Sequence, residues 1–82
     1  MTQVTIYSRP DCHLCEQAIE ALLGLHEEGY RFELHEVDIE SEELLFKRML
    51  EKIPVVEVDG QVVSELILDR AAVEARLDTV GA

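Results

Sequence analysis

The chain has 82 residues, with 7 Lys and Arg against 18 Asp and Glu, a formal charge of −11, and a 48% apolar fraction broken by only 4 Gly and 2 Pro. That length is expected to make one domain with a modest stability margin; the composition is too apolar for a disordered segment and too acidic for nucleic acid or an anionic membrane surface. Asp or Glu interrupts every apolar run well before the roughly 18 residues that a membrane span requires.

Val4 and Ile6, with Thr5 and Tyr7, form a short β-branched and aromatic run that ends at the turn formers Ser8-Arg9-Pro10-Asp11, and predict a first strand. From Cys12 onward Leu14, Cys15, Ala18, Ile19, Leu22, Leu23 and Leu25 recur at the three-and-four spacing of a helix with one buried face. That helix is expected to run to about Glu28 and to stop at Gly29. Tyr30 to Ile39 is rich in strand formers, but Phe32 and Leu34 fall on one parity and Val37 and Ile39 on the other. The reading is one strand ending near Val37, with the change of parity unaccounted for.

Ser41 is a candidate N-cap, with Glu42 and Glu43 in the first turn of a second helix and Lys47, Arg48 and Lys52 near its far end, in keeping with the helix dipole. Leu44, Leu45 and Met49, with Phe46 and Leu50, are its expected buried side. Ile53-Pro54-Val55-Val56-Glu57-Val58 and Gln61-Val62-Val63-Ser64 read as two strands, and Asp59-Gly60 between them supplies the positive φ angles of a two-residue hairpin. Asp69 can cap a last helix carrying Ala72, Val73, Ala75, Arg76 and Leu77. The order β-α-β-α-β-β-α begins with a crossover between parallel strands and closes with an antiparallel hairpin. An α/β fold satisfies both demands, with a four-stranded mixed sheet and helices on both faces; an α+β layer with all helices on one face is the alternative.

Cys12-His13-Leu14-Cys15 is a C-x-x-C placed where a strand hands over to a helix. A cysteine at a helix start faces unpaired backbone N–H groups and the positive end of the dipole, so its thiolate is favoured and its pKa should fall below the free value of about 8.5. Cys12 is therefore the expected nucleophile, and Cys15, one turn on and deeper in the fold, the expected resolving thiol. A protonated His13 would favour the thiolate as well, and Arg9 could add positive potential, against Asp11 and Glu16. Two cysteines are too few for a disulfide scaffold. His13, His26 and His35 are too dispersed to complete a zinc site within the chain, so no metal site is expected there; a zinc or iron–sulfur site shared between two chains, or an inert thiol pair, stays open beside redox chemistry. The start of the chain lacks the basic and apolar stretches of a secretory signal, which makes the cytoplasm the expected home.

Tyr7-Ser8-Arg9-Pro10-Asp11-Cys12-His13-Leu14-Cys15, followed by Val37-Asp38-Ile39 and Ile53-Pro54-Val55-Val56, resembles the glutaredoxins of the thioredoxin-like superfamily over almost the whole chain. The resemblance implies a three-layer α/β/α fold and a cis-proline, matched by Pro54, opening the third strand beside the cysteines. A proline there costs no ladder bond, and the backbone of Ile53 is left free to pair with an extended thiol substrate. The family often has Pro-Tyr between its cysteines, where this chain has His13-Leu14. Glutathione-using members carry a Gly-Gly pair after the last strand and then an Asp opening the final helix. Here Ser64 and Glu65 stand at the pair's positions and the Asp is displaced by one residue to Asp69. Two side chains and a negative charge thus occupy the place where glutathione's backbone would approach closely. The chain is most similar to short glutaredoxin-like proteins with a D-C-H-L-C motif.

The resemblance implies a thiol–disulfide oxidoreductase, with Cys12 and Cys15 catalytic, Arg9, Ile53 and Pro54 on the substrate and His13 tuning the thiol. No resident cofactor is expected. The expected partners of this monomer are protein or small-molecule disulfides, with glutathione or a thioredoxin-type reductase as electron source; the other readings are a metal or cluster module bridging two chains through Cys12, and a catalytically idle adaptor.

Overall fold

The computed structural model describes residues 1–80. The elements follow as β1 (Gln3–Ser8), α1 (His13–Glu27), β2 (Glu33–Asp38), a 3₁₀ turn (Ile39–Ser41), α2 (Glu43–Met49), β3 (Val55–Val58), β4 (Gln61–Ser64) and α3 (Arg70–Val80). The order is the expected one. The sheet runs β2-β1-β3-β4, with β1 parallel to β2 and antiparallel to β3, and β3 antiparallel to β4.

Strand periodicity sorts the side chains onto two faces. Val4 and Ile6 of β1 and Val56 and Val58 of β3 point to one side, where Ala18, Leu22 and Leu25 of α1 and Val73 and Leu77 of α3 close over them. Each fully buried Val, Leu or Ile there is worth about 1.5–3 kcal/mol relative to exposure. Tyr7 points to the other side and packs with Ile39, Ile53 and the α2 residues Leu45, Phe46 and Met49. Helices therefore cover both faces, and the single-faced α+β alternative is not what forms.

The parity change after Leu34 now has a cause. Leu34 lies opposite Val4 and joins the first core, whereas Val37 lies opposite Tyr7 and faces the other side, followed by the buried Ile39 of the 3₁₀ turn. An edge strand that feeds one core at its start and the other at its end needs no irregularity to switch parity.

Local chemistry ends the elements. Gly29, at φ +103°, closes α1 with its N–H on the carbonyl of His26, and the N–H of Tyr30 reaches that of Leu25, the bond pair of a Schellman motif. Asp59 and Gly60 turn the β3–β4 hairpin at φ 49° and 86°. Asp69 caps α3, its Oδ1 accepting from the N–H of Ala72 at 3.1 Å.

The second helix departs from expectation. Ser41 is not its N-cap: Asp38 caps the 3₁₀ turn, with Oδ1 accepting from the N–H of Glu40 at 2.8 Å, and the Ser41 hydroxyl donates back to the Asp38 carbonyl. Glu42 precedes α2 without a side-chain cap bond. The helix lasts seven residues, Lys52 lies beyond it, and Leu44 is 67% exposed rather than buried. The helix packs with Leu45, Phe46 and Met49 on the sheet side, and Leu44, roughly opposite them around the axis, faces out. β3 likewise begins at Val55 instead of Ile53, since β1 offers no partner beyond Tyr7 and Pro54 has no N–H to give.

Candidate active site

β1 ends at Ser8, and Arg9 to Asp11 carry the chain over the end of the sheet, with Asp11 at φ 58°. Cys12 follows as the N-cap of α1, in extended backbone, and its carbonyl accepts the first helical bond from the N–H of Glu16 at 3.0 Å. Its Sγ accepts from the N–H of Cys15 at 3.3 Å. A side chain in this position takes up one of the four orphaned amides of the helix start. Cys12 is half-buried whereas Cys15 is 2% exposed, and the two are joined as a disulfide across Cα atoms 5.2 Å apart.

The fold brings Ile53 to this pair. Cys15, Ile39 and Ile53 form a small buried cluster ringed by Tyr7, Cys12, Leu45, Phe46 and Met49. The Ile53–Pro54 peptide bond is cis, as the resemblance implied, and the Pro54 ring is fully buried. The expectation that the backbone of Ile53 is free needs correcting: its N–H donates to the carbonyl of Met49 at 3.1 Å. The cause is the short α2, whose C-terminal Met49 carbonyl lacks a partner inside the helix and accepts from the N–H of Lys52 at 2.8 Å as well as from that of Ile53.

Charges around the motif are spoken for. The Arg9 guanidinium lies 3.6 Å from Glu40 Oε2, with both side chains well exposed, so solvent screens the pair and part of the arginine's positive field is cancelled. The His13 side chain is 82% exposed, 3.8 Å from Glu16 Oε2. Tyr7 escaped the sequence reading because it resembles an ordinary strand residue. Its hydroxyl donates to Glu57 Oε1 at 3.3 Å. Burial first, then the Glu57 charge and hydrogen bond, raise its pKa above the usual phenol value, with Arg48 opposing.

Ser64 is buried. Its Oγ accepts from the N–H of Asp69 at 2.9 Å and donates to the Ile67 carbonyl at 3.4 Å, which ties the loop between β4 and α3. Glu65 stays exposed, and Leu66, at φ 62°, donates its N–H to the Lys52 carbonyl at 2.9 Å. Between this loop and α1 lies a cleft of about 190 Å³, lined by Leu14, Gln17, Ala21, Ile67, Leu68 and Arg70 among others. Its outward-facing residues were missed because the run Leu66-Ile67-Leu68 reads as core in any sequence pattern.

Among the described residues no group of three or more His, Cys, Asp or Glu side chains could hold a metal, and no helix is long and apolar enough to cross a membrane.

With a cysteine pair at a helix start beside a cis-proline on a four-stranded mixed sheet, comparison with known proteins is decisive. The family model for the glutaredoxin-like domain (DUF836) matches residues 3–78. The chain belongs to this family. Its fold is thioredoxin-like. The solution structure of protein Ne2328 from Nitrosomonas europaea is similar at a TM-score of 0.78 and 27% identity, covering 92% of this chain and 89% of that one. The crystal structure of XcR50 from X. campestris is similar at 0.71 and 31% identity, covering 93% and 96%. Glutaredoxin from Brucella melitensis shares the fold at 0.56 and 24% identity, covering 96% and 82%. A search of the curated proteins found no match. Within the glutaredoxin-like family a C-x-x-C at this place points to redox function.

Proposed function

We propose that this glutaredoxin-like chain is a dithiol–disulfide oxidoreductase. The observation that carries the proposal is the placement of Cys12 Sγ as the N-cap of α1, accepting an amide N–H at 3.3 Å while its neighbour Cys15 is buried. An N–H that points at sulfur, together with the positive helix end, stabilises the thiolate more than the thiol. The half-buried Cys12 is then the attacking group and the sealed Cys15 the resolving one.

In the reduced chain the Cys12 thiolate attacks one sulfur of a substrate disulfide, forming a mixed disulfide and expelling the other sulfur as a thiolate that takes up a proton. Cys15 loses its proton and attacks Cys12 Sγ, which expels the second substrate thiolate. Two electrons leave the cysteine pair, one substrate disulfide becomes two thiols, and the Cys12–Cys15 bond is restored. The carbonyl of Ile53, which clusters with Cys15 and precedes the buried Pro54, is the backbone acceptor for an extended substrate. Arg9 adds only the part of its potential that Glu40 leaves, and His13, mostly in solvent, contributes when protonated.

The experiment is reduction of hydroxyethyl disulfide and of insulin by the chain, with Cys12→Ser and Cys15→Ser variants. Cys12→Ser should be inert, and Cys15→Ser should accumulate a mixed disulfide on Cys12, seen as an added mass that dithiothreitol removes. Turnover by Cys12→Ser, or a trapped adduct on Cys15 instead, contradicts the assignment.

A further inference from the structure

Arg9, beside the cysteines, and Arg70, at the cleft along α1, are paired with carboxylates of the chain itself. Arg9 pairs with Glu40, and Arg70 pairs with both Glu28 and Glu74, the latter at 3.0 Å. An anionic ligand arriving at either of these two therefore has to displace an existing partner. Arg48, near Tyr7, lies on α2 over the other face of the sheet, and Lys52, whose carbonyl holds the Leu66 amide, has the exposed Glu51, Glu65 and Asp69 on the same two loops.

Apolar surface, by contrast, is on offer. Leu14, between the two cysteines, is 42% exposed and Ile67 is 74% exposed, and the two line the same cleft, floored by Ala18, Ala21 and Leu68. The loop that presents Ile67 is held by the two Ser64 hydrogen bonds and by the Leu66–Lys52 bond, so the apolar groups sit on a braced segment. A braced, exposed aliphatic pair, with Leu14 two residues from the attacking Cys12, costs little ordering on binding and gains by burial.

We infer that the substrate is a protein or peptide disulfide whose half-cystine is flanked by an aliphatic residue, which enters the cleft between Leu14 and Ile67, with Lys or Arg further out to meet a chain of charge −11. The inference rests on the redox reading and specifies its substrate. Chemistry is as above: the reduced pair gives two electrons to the peptide disulfide, which leaves as two thiols.

The test is single-turnover reduction by chain that has been reduced with dithiothreitol and desalted. Three symmetric peptide disulfides serve as probes, with the half-cystine flanked by Leu and then Lys, by Ala and then Lys, or by Leu and then Glu. Hydroxyethyl disulfide, too small to span to Ile67, reports the redox centre alone. The Leu–Lys peptide should react roughly tenfold faster than its Ala counterpart. It should exceed the Leu–Glu peptide roughly threefold at about 10 mM salt, with the charge advantage lost near 1 M. Ile67→Ser, at an exposed position, and separately Leu14→Ser should bring the Leu-to-Ala ratio close to one. Equal rates for all three peptides alongside rapid reduction of hydroxyethyl disulfide overturn this inference and leave the redox reading standing. No reaction with hydroxyethyl disulfide overturns the redox reading, and the inference with it.

Discussion

Replacing Ser64 with Ala probes how the loop in front of α3 is held. The substitution deletes one buried hydroxyl and little volume, so its cost lies in hydrogen bonding rather than in packing. The 2.9 Å bond from the Asp69 N–H is lost, and with it the 3.4 Å bond to the Ile67 carbonyl, which is long enough to add little. Orphaning a buried donor costs about 1–3 kcal/mol. Asp69 is an exposed residue, so water can reach its freed N–H and the cost settles near the low end, about 1 kcal/mol. In a domain of this size that is a fall in Tm of about 4–8 °C. Urea denaturation should show a lower midpoint at unchanged slope, because the surface exposed on unfolding is the same. Amide hydrogen exchange should quicken first at Asp69, whose N–H loses its acceptor, beyond the change common to the whole chain. A Tm shift under about 1 °C would refute the bonding described here. Destabilisation with no excess exchange in this loop would place the effect elsewhere.

Leu22→Ala, at a fully buried position between α1 and the sheet, should cost about 2–5 kcal/mol by chemical denaturation, and a cost below about 1 kcal/mol would mean the site collapses around the cavity. Asp69→Ala removes the α3 cap and should cost about 1 kcal/mol, with Asp69→Asn recovering most of it; equal losses in the two variants would exclude the cap as the cause. Tyr7 and Tyr30 are the only two tyrosines, and both are held above the usual phenol pKa, Tyr7 by burial and Glu57 and Tyr30 by burial and then Asp78 and Glu74. Above about pH 10 the unfolded chain releases protons that the folded chain keeps, so stability should fall as pH rises until the folded phenols ionise too. Absorbance at the phenolate band should show both titrating later in the folded chain than in urea, and a folded titration at or below the urea one would contradict the environments described.

Most of this fold is legible in the sequence because its signals are local. The three-and-four spacing through Ala18, Leu22 and Leu25 and the Asp59-Gly60 turn each act within a few residues, and each appears in the structure as read. What was misread depends on distant partners. Ser41 has good N-cap chemistry, but Asp38 reaches the preceding amides first and turns the chain into a 3₁₀ turn before α2 begins. Leu44 looks apolar and in phase, and only the packing of α2 on the sheet shows that it faces out. At the site, the spacing of Cys12 and Cys15 and their place at a helix start are sequence facts. The Met49 bond to Ile53, the Glu40 partner of Arg9 and the cleft shared by Leu14 and Ile67 are set by how separate elements meet, which no pattern of spacing records.

The most direct measurement of the central claim is the pH dependence of alkylation in the dithiothreitol-reduced chain, followed by mass spectrometry to assign each modified cysteine. Cys12 should react first with iodoacetamide at neutral pH, along a titration centred below the free-thiol value of about 8.5, while Cys15 stays protected. Faster labelling of Cys15, or a Cys12 titration at the free-thiol value of about 8.5, would contradict the thiolate at the helix start on which the redox account is built.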